Sequence, residues 1–234
     1  LCRAIGQEFV AALQAASSLP PKFPETYAQL LVEDPFGTFD EGAALAAFDD
    51  ATLESVRAAI AARWRAAKDA LRAAEERASG ARGTKRRGAR ASEAGAESLR
   101  WDLRRLERLH LEQLEAQGEV DGVLAVLRED LTTPERCSAY TAALERHGRT
   151  REAFVHAERA HRQFPRDLRL EDDVLRMYER DGWHDEALRI RRRRFEERPG
   201  VEAWRALFQA ARAAGRDLAA LRSELYSWLE ERES

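Results

Sequence analysis

Cysteine, methionine, aromatic residues and strand-formers are all scarce in this chain, and each shortage narrows what it can be. The two cysteines, Cys2 and Cys137, lie far apart with no second thiol near either, so neither a disulfide framework nor a thiolate zinc site is expected. A reducing, cytoplasmic setting fits that usage. No apolar run reaches the roughly 18 residues that mark a spanning helix, so no membrane segment is expected. A basic excess is also missing: 39 Lys and Arg face 42 Asp and Glu, a formal charge of −3, which argues against a dedicated nucleic-acid binder. The chain starts at Leu1 instead of Met, which reads as a piece of a larger protein.

What is present favours helices. Of 234 residues, 44% are apolar and 35% charged, with Ala, Leu, Glu and Arg abundant. Leu53, Val56, Ile60, Trp64 and Leu71 recur at three- and four-residue spacings or their sums, the stripe of a long helix starting after an Asp49/Asp50 cap. Its cover is expected from Ile5, Phe9 and Leu13 and from a short helix around Tyr27, Leu30 and Leu31. "LPPKFP" and "EDPFGTFDEG" punctuate these segments as turns. Residues 79–97, "SGARGTKRRGARASEAGAE", hold four glycines and no aliphatic side chain larger than Ala. They read as a flexible basic linker that buries too little to offset its ordering entropy. The expected organisation is an N-terminal helical unit over 1–78, that linker, and a repeat array over 98–234.

The array is read from a recurrence. "LERHGRTREAF" and "MYERDGWHDEAL" repeat Glu-Arg-x-Gly and then Glu-Ala, and Gly118, Gly148, Gly182 and Gly215 are spaced by 30, 34 and 33 residues. Each follows an amphipathic segment of helical period, where a glycine most easily takes the left-handed turn. Ala153, Ala187 and Ala220 stand five residues past the last three glycines, as small residues that let paired helices approach. Pro165 and Pro199 stand seventeen past Gly148 and Gly182. Such a period predicts an all-α fold of antiparallel helical hairpins.

These registers resemble the tetratricopeptide repeat, a 34-residue helical hairpin with a turn Gly, an Ala five later and a terminal Pro. "WRALF" places Trp204 and Leu207 at its large apolar sites, and Tyr178 fits the aromatic site before the turn. The pattern is degenerate: Leu111, Thr141, Leu175 and Phe208 replace the small residue of the first helix, and Arg194 takes a usual Ala site. The order "LPPKFPETYAQLLVEDPFGTFD", a long helix, "GEVDGVLAVLREDLTTPERCSAY", "GRTREAFVHAERAHRQFP" and "DGWHDEALRIRRRRFEERPGVEAWRAL" is similar to the helical C-terminal region of bacterial SWIM zinc-finger proteins and their finger-less relatives. The finger's Cys-x-Cys and Cys-x-His residues are absent, so the resemblance implies no zinc role here. It implies hairpins stacked as a tetratricopeptide-like α-solenoid.

Motifs for chemistry are few. "GARGTKRRG" places Thr84 before Lys85 and lacks the preceding strand of a phosphate loop. The five histidines show no HExxH or Cys/His ligand spacing, and no nucleophile elbow occurs. No catalytic, cofactor-binding or metal residue is therefore assigned, and the chain is read as non-enzymatic. In "RIRRRRF", Arg189, Arg192 and Arg193 belong to the exposed side of a helix. Arg191 and Arg194 fall nearer the apolar face, where they need carboxylates such as Glu171, Asp172 or Asp173. The remaining functional surface is the groove between stacked hairpins, lined from the first helix of each. Its candidate residues are Arg105 and Arg108, then Arg169, Asp172, Arg176 and Arg180, then Arg205, Gln209 and Arg212. A protein or peptide partner, with a bias toward acidic segments, is the expectation. The alternative is accessory nucleic-acid binding through the linker and the Arg189–Arg194 run.

Overall fold

The computed structural model describes residues 2–16, 19–34, 48–80 and 86–233. Among these residues the chain is all helical, with eleven helices and no strand. They are α1 (Cys2–Ala15), α2 (Phe23–Glu33), α3 (Asp50–Gly80), α4 (Arg86–Gln117), α5 (Val120–Arg128) and α6 (Pro134–Arg146). There follow α7 (Thr150–Gln163), α8 (Leu168–Asp181), α9 (His184–Glu197), α10 (Val201–Ala213) and α11 (Leu218–Glu233).

Local chemistry sets the ends of these elements. Asp49 accepts the Thr52 amide at 2.7 Å and so opens α3 as expected. Thr133 and Asp167 cap α6 and α8 in the same way, Asp167 taking two amides at 3.1 Å. Pro134 sits in the first turn of α6, where its missing donor is harmless. At the opposite ends, Gly118, Gly148, Gly182 and Gly215 all have φ between 66° and 79°. In every case the residue after the glycine donates to the carbonyl five positions back: Glu119 to Leu114, Arg149 to Leu144, Trp183 to Tyr178 and Arg216 to Ala211, at 2.8–2.9 Å. The left-handed glycine closes off carbonyls that the helix leaves unpaired.

The chain forms two compact units, Leu1–Val126 and Leu127–Ser234. In the first, the expected α3 stripe is buried at Val56, Ile60 and Trp64. Its cover is Val10, Tyr27, Ala28 and Leu31, with Phe9 and Leu13 beside them, joined by Leu109 of α4. A second cluster gathers Trp64, Leu106 and Val126. In the other unit, Cys137, Ala160 and Leu170 form one core and Phe195, Leu207 and Leu225 another. Each of α6 to α10 packs on the next helix, and α6 also touches α8.

Two expectations are corrected. Residues 79–97 do not read as linker where they are described: 79 and 80 end α3, and 86–97 open the long helix α4, which packs along α3. Ala, Arg and Glu have high intrinsic helix propensity, and Ala96 is buried, so the lack of large aliphatics does not prevent helix formation. The unit boundary falls within α5. The "GARGTKRRG" residues 81–85, and most of "EDPFGTFDEG", lie outside the described residues. Second, Ala153 and Ala187 are buried, but Ala220 is exposed. Helix α11 instead turns Leu225 fully inward, with Leu221, Trp228 and Leu229 around it, so its contact face lies one position further along the chain.

Candidate functional site

The expected groove residues fall into two groups, one in each compact unit. In the first unit, the Arg105 guanidinium donates to the Leu31 carbonyl and so satisfies the exposed end of α2. Arg108 faces Glu112 of its own helix at 3.4 Å. Arg105 is structural, and Arg108 stands half exposed on the α4 surface.

In the second unit, α6 and α8 lie side by side, and their polar residues tie one to the other. Arg169 reaches Glu135 at 3.3 Å. Ser138 donates to Asp173 at 2.7 Å. Arg176 makes a two-pronged contact with Glu145, at 3.0 and 2.8 Å, and Arg180 reaches the same carboxylate at 2.7 Å. Hydrogen bonding from Arg176, then the charges of Arg176 and Arg180, hold the Glu145 carboxyl below the usual carboxylate range against the opposing effect of burial. These cations are anchored by neighbouring carboxylates and brace the α6–α8 contact.

The arginine run on α9 is likewise committed. Arg189 pairs with Glu186 at 2.9 Å, Arg191 with Glu179 at 2.9 Å, and Arg192 with Glu196 at 2.8 Å and Glu224 at 2.5 Å. Arg193 and Arg194 both donate to Glu171, which is buried. The expectation that Arg191 and Arg194 need acidic partners holds. Arg194 uses the named Glu171 and Asp172, Arg191 reaches Glu179 further along the same helix α8, and Asp173 turns instead to Ser138 and Arg176. Arg194 Nη2, which is buried, is ion-paired with Asp172 Oδ1 at 2.7 Å.

On α10 the charges are freer. Arg205 faces Glu202 at 2.9 Å one turn away, both strongly exposed, a pairing worth little in water. Gln209 and Arg212 are exposed, with no polar partner among the described residues.

A cleft of about 570 Å³ opens where the α7–α8 connection, the end of α9 and the start of α10 meet. Pro165, Leu168 and Ala203 supply its apolar lining, and Arg166, Arg193, Arg194 and Arg198 its cations. Of these only Asp172, which also lines it, stood among the candidate site residues. Arg166 and Arg198 follow the two repeat prolines by one residue or precede them by one, but nothing in the linear order indicates that these chain ends converge.

Elsewhere, His156 is held by packing. Thr141 Oγ1 lies 2.9 Å from His156 Nδ1 and the Tyr140 ring meets that imidazole edge-on, while burial and then the Arg159 charge lower the His156 pKa. Among the described residues no group of three His, Cys, Asp or Glu side chains is placed to hold a metal ion. No helix among them is long and apolar enough to cross a membrane. Compared with known proteins, the chain matches no family model and no curated protein.

Proposed function

We propose that this chain is a non-enzymatic protein- or peptide-binding scaffold, part of a larger bacterial protein working in the cytoplasm. Its helix pairs are read as antiparallel hairpins stacked in a tetratricopeptide-like α-solenoid. The common left-handed glycine turn, repeated four times with the same closing hydrogen bond, supports this arrangement, as does the contact of α6 with both α7 and α8. The observation that carries the binding reading is the contrast between faces. Arg169, Arg176 and Arg180 are tied to α6 carboxylates, whereas Arg205, Gln209 and Arg212 of α10 stay exposed and open to a partner.

The test is selection of a random peptide library on the immobilised chain, repeated with R205E/Q209E/R212E. Peptides enriched on the wild type and lost on a variant of equal helicity are the expected result. A selection that enriches nothing above background would sink the reading. The nucleic-acid alternative draws no support from the arginine run, whose members each already face a carboxylate. It would require RNA or DNA affinity that falls steeply with salt, with a slope set by the phosphates neutralised.

A further inference from the structure

The cleft at the start of α8 combines features that a bare cluster of surface charge lacks. Two of its four cations are pre-positioned: the buried Glu171 carboxylate receives both Arg193 and Arg194, so neither of these guanidinium groups has to be ordered when a ligand arrives. Arg194 Nη2 is buried and is held 2.7 Å from Asp172 Oδ1. Arg166 and Arg198 line the opening, are exposed, and make no ion pair among the described residues. Beside them stand Pro165 and Leu168, and Leu168 is 58% exposed although it begins a helix whose other apolar residues are buried. Val201, the corresponding first residue of α10, is 66% exposed. Exposed aliphatic side chains next to anchored guanidinium groups form a surface with both an apolar and an anionic preference.

The charge balance selects the anion. Four arginines against the carboxylates of Glu171, Asp172 and Glu197 leave one formal positive charge on the lining. One carboxylate neutralises that excess. A phosphate carrying nearly two charges, or a nucleic-acid backbone, would meet the repulsion of three acidic groups. We propose that this cleft takes one acidic side chain of a peptide, its carboxylate between Arg166 and Arg198 and the adjoining apolar residue against Leu168 and Pro165. This inference rests on the peptide-binding reading above and adds to the exposed α10 face a second, separate subsite with its own ligand class.

Binding of a fluorescein-labelled octapeptide alternating Glu and Leu to the full chain, followed by anisotropy, tests it. The matched Gln-Leu peptide and a phosphoserine-Leu peptide serve as comparisons. The Glu-Leu peptide should bind at least about tenfold more tightly than the Gln-Leu peptide. The double variant R166E/R198E should lose about tenfold or more while keeping its helical circular dichroism, because neither side chain has a structural partner. R205E/R212E should leave the affinity nearly unchanged. Equal binding of the Glu-Leu and Gln-Leu peptides, tighter binding of the phosphoserine peptide, or full affinity in R166E/R198E would each overturn the assignment. If affinity is lost only in R205E/R212E, the scaffold reading survives and the cleft is wrong. If the Glu-Leu peptide does not bind while library peptides do, the cleft assignment again fails alone. Failure of both experiments removes both.

Discussion

Glu145 shows how much one carboxylate can organise: it sits largely covered between two helices and holds Arg176 and Arg180 at once. Because both guanidinium groups are about half exposed, the loss on Glu145→Gln should be modest, about 1 kcal/mol. Its pH dependence is the sharper signature. The folded carboxyl titrates below its unfolded value of about 4.3, so its contribution is present above that pH and is lost as pH falls through the lower folded value. Urea midpoints should therefore separate wild type from E145Q near neutrality and converge as acidification carries the pH below the lowered folded value. A constant gap would show that the pair contributes nothing through ionisation. Tyr178 gives the opposite case. Burial first, then its hydrogen bond to Glu158 at 2.7 Å, push its phenol up to about 12. A folded pKa above the unfolded value of about 10 stabilises below that pH, and the benefit disappears as pH rises through about 12. Tyr178→Phe should thus flatten the alkaline loss of stability between those limits in denaturant titrations. An unchanged slope would mean that the phenol is not responsible.

At the scale of helices and turns, the same substitution should have opposite signs at two glycines. A Cβ meets no atom within 4 Å at either Gly182 or Gly95, so packing cannot distinguish them. Gly182 has φ 79°, and alanine there should cost about 1 kcal/mol of backbone strain. Gly95 lies inside α4, and alanine there should stabilise by about 0.5–1 kcal/mol. Thermal midpoints that move in the same direction for G182A and G95A would refute this. The contrast also explains what could be read from the chain in advance. Turn glycines are legible because the constraint is local: where a helix ends in a left-handed turn, as at Gly118, Gly148, Gly182 and Gly215, that conformation favours glycine. The first half of α4 was missed because helix formation there rests on Ala and Arg propensity and packing along α3, while four nearby glycines mimic a linker. The α9 arginines were partly legible. Helical periodicity identified Arg191 and Arg194 as the pair needing carboxylates, and the nearby Glu171–Asp173 run supplied partners for Arg194. Which acid serves Arg191 depends on how α8 lies against α9, and one-dimensional spacing does not encode that. The same limit hid the Pro165–Leu168 cleft, whose walls come from three separate stretches of chain.

For the molecule as a whole, the division into Leu1–Val126 and Leu127–Ser234 follows from where the cores close. Val56, Ile60 and Trp64 draw their cover from residues before Leu127, and Phe195 and Leu207 draw theirs from α9 to α11. Since Leu207 is fully buried among Phe195, Leu225 and Trp204, Leu207→Ala should remove about 2–5 kcal/mol, more than a few polar contacts can restore. Because each helix from α6 to α10 packs on the next one in sequence, such a loss is felt first in its neighbours. Peptide-resolved hydrogen exchange should therefore show faster exchange in α9, α10 and α11 of L207A, a smaller change in α6, and unchanged protection at Val56 to Trp64 of α3. A uniform acceleration across all helices would instead mean that the two units unfold in a single cooperative step, in which case the same substitution would lower the protection of α3 as much as that of α10.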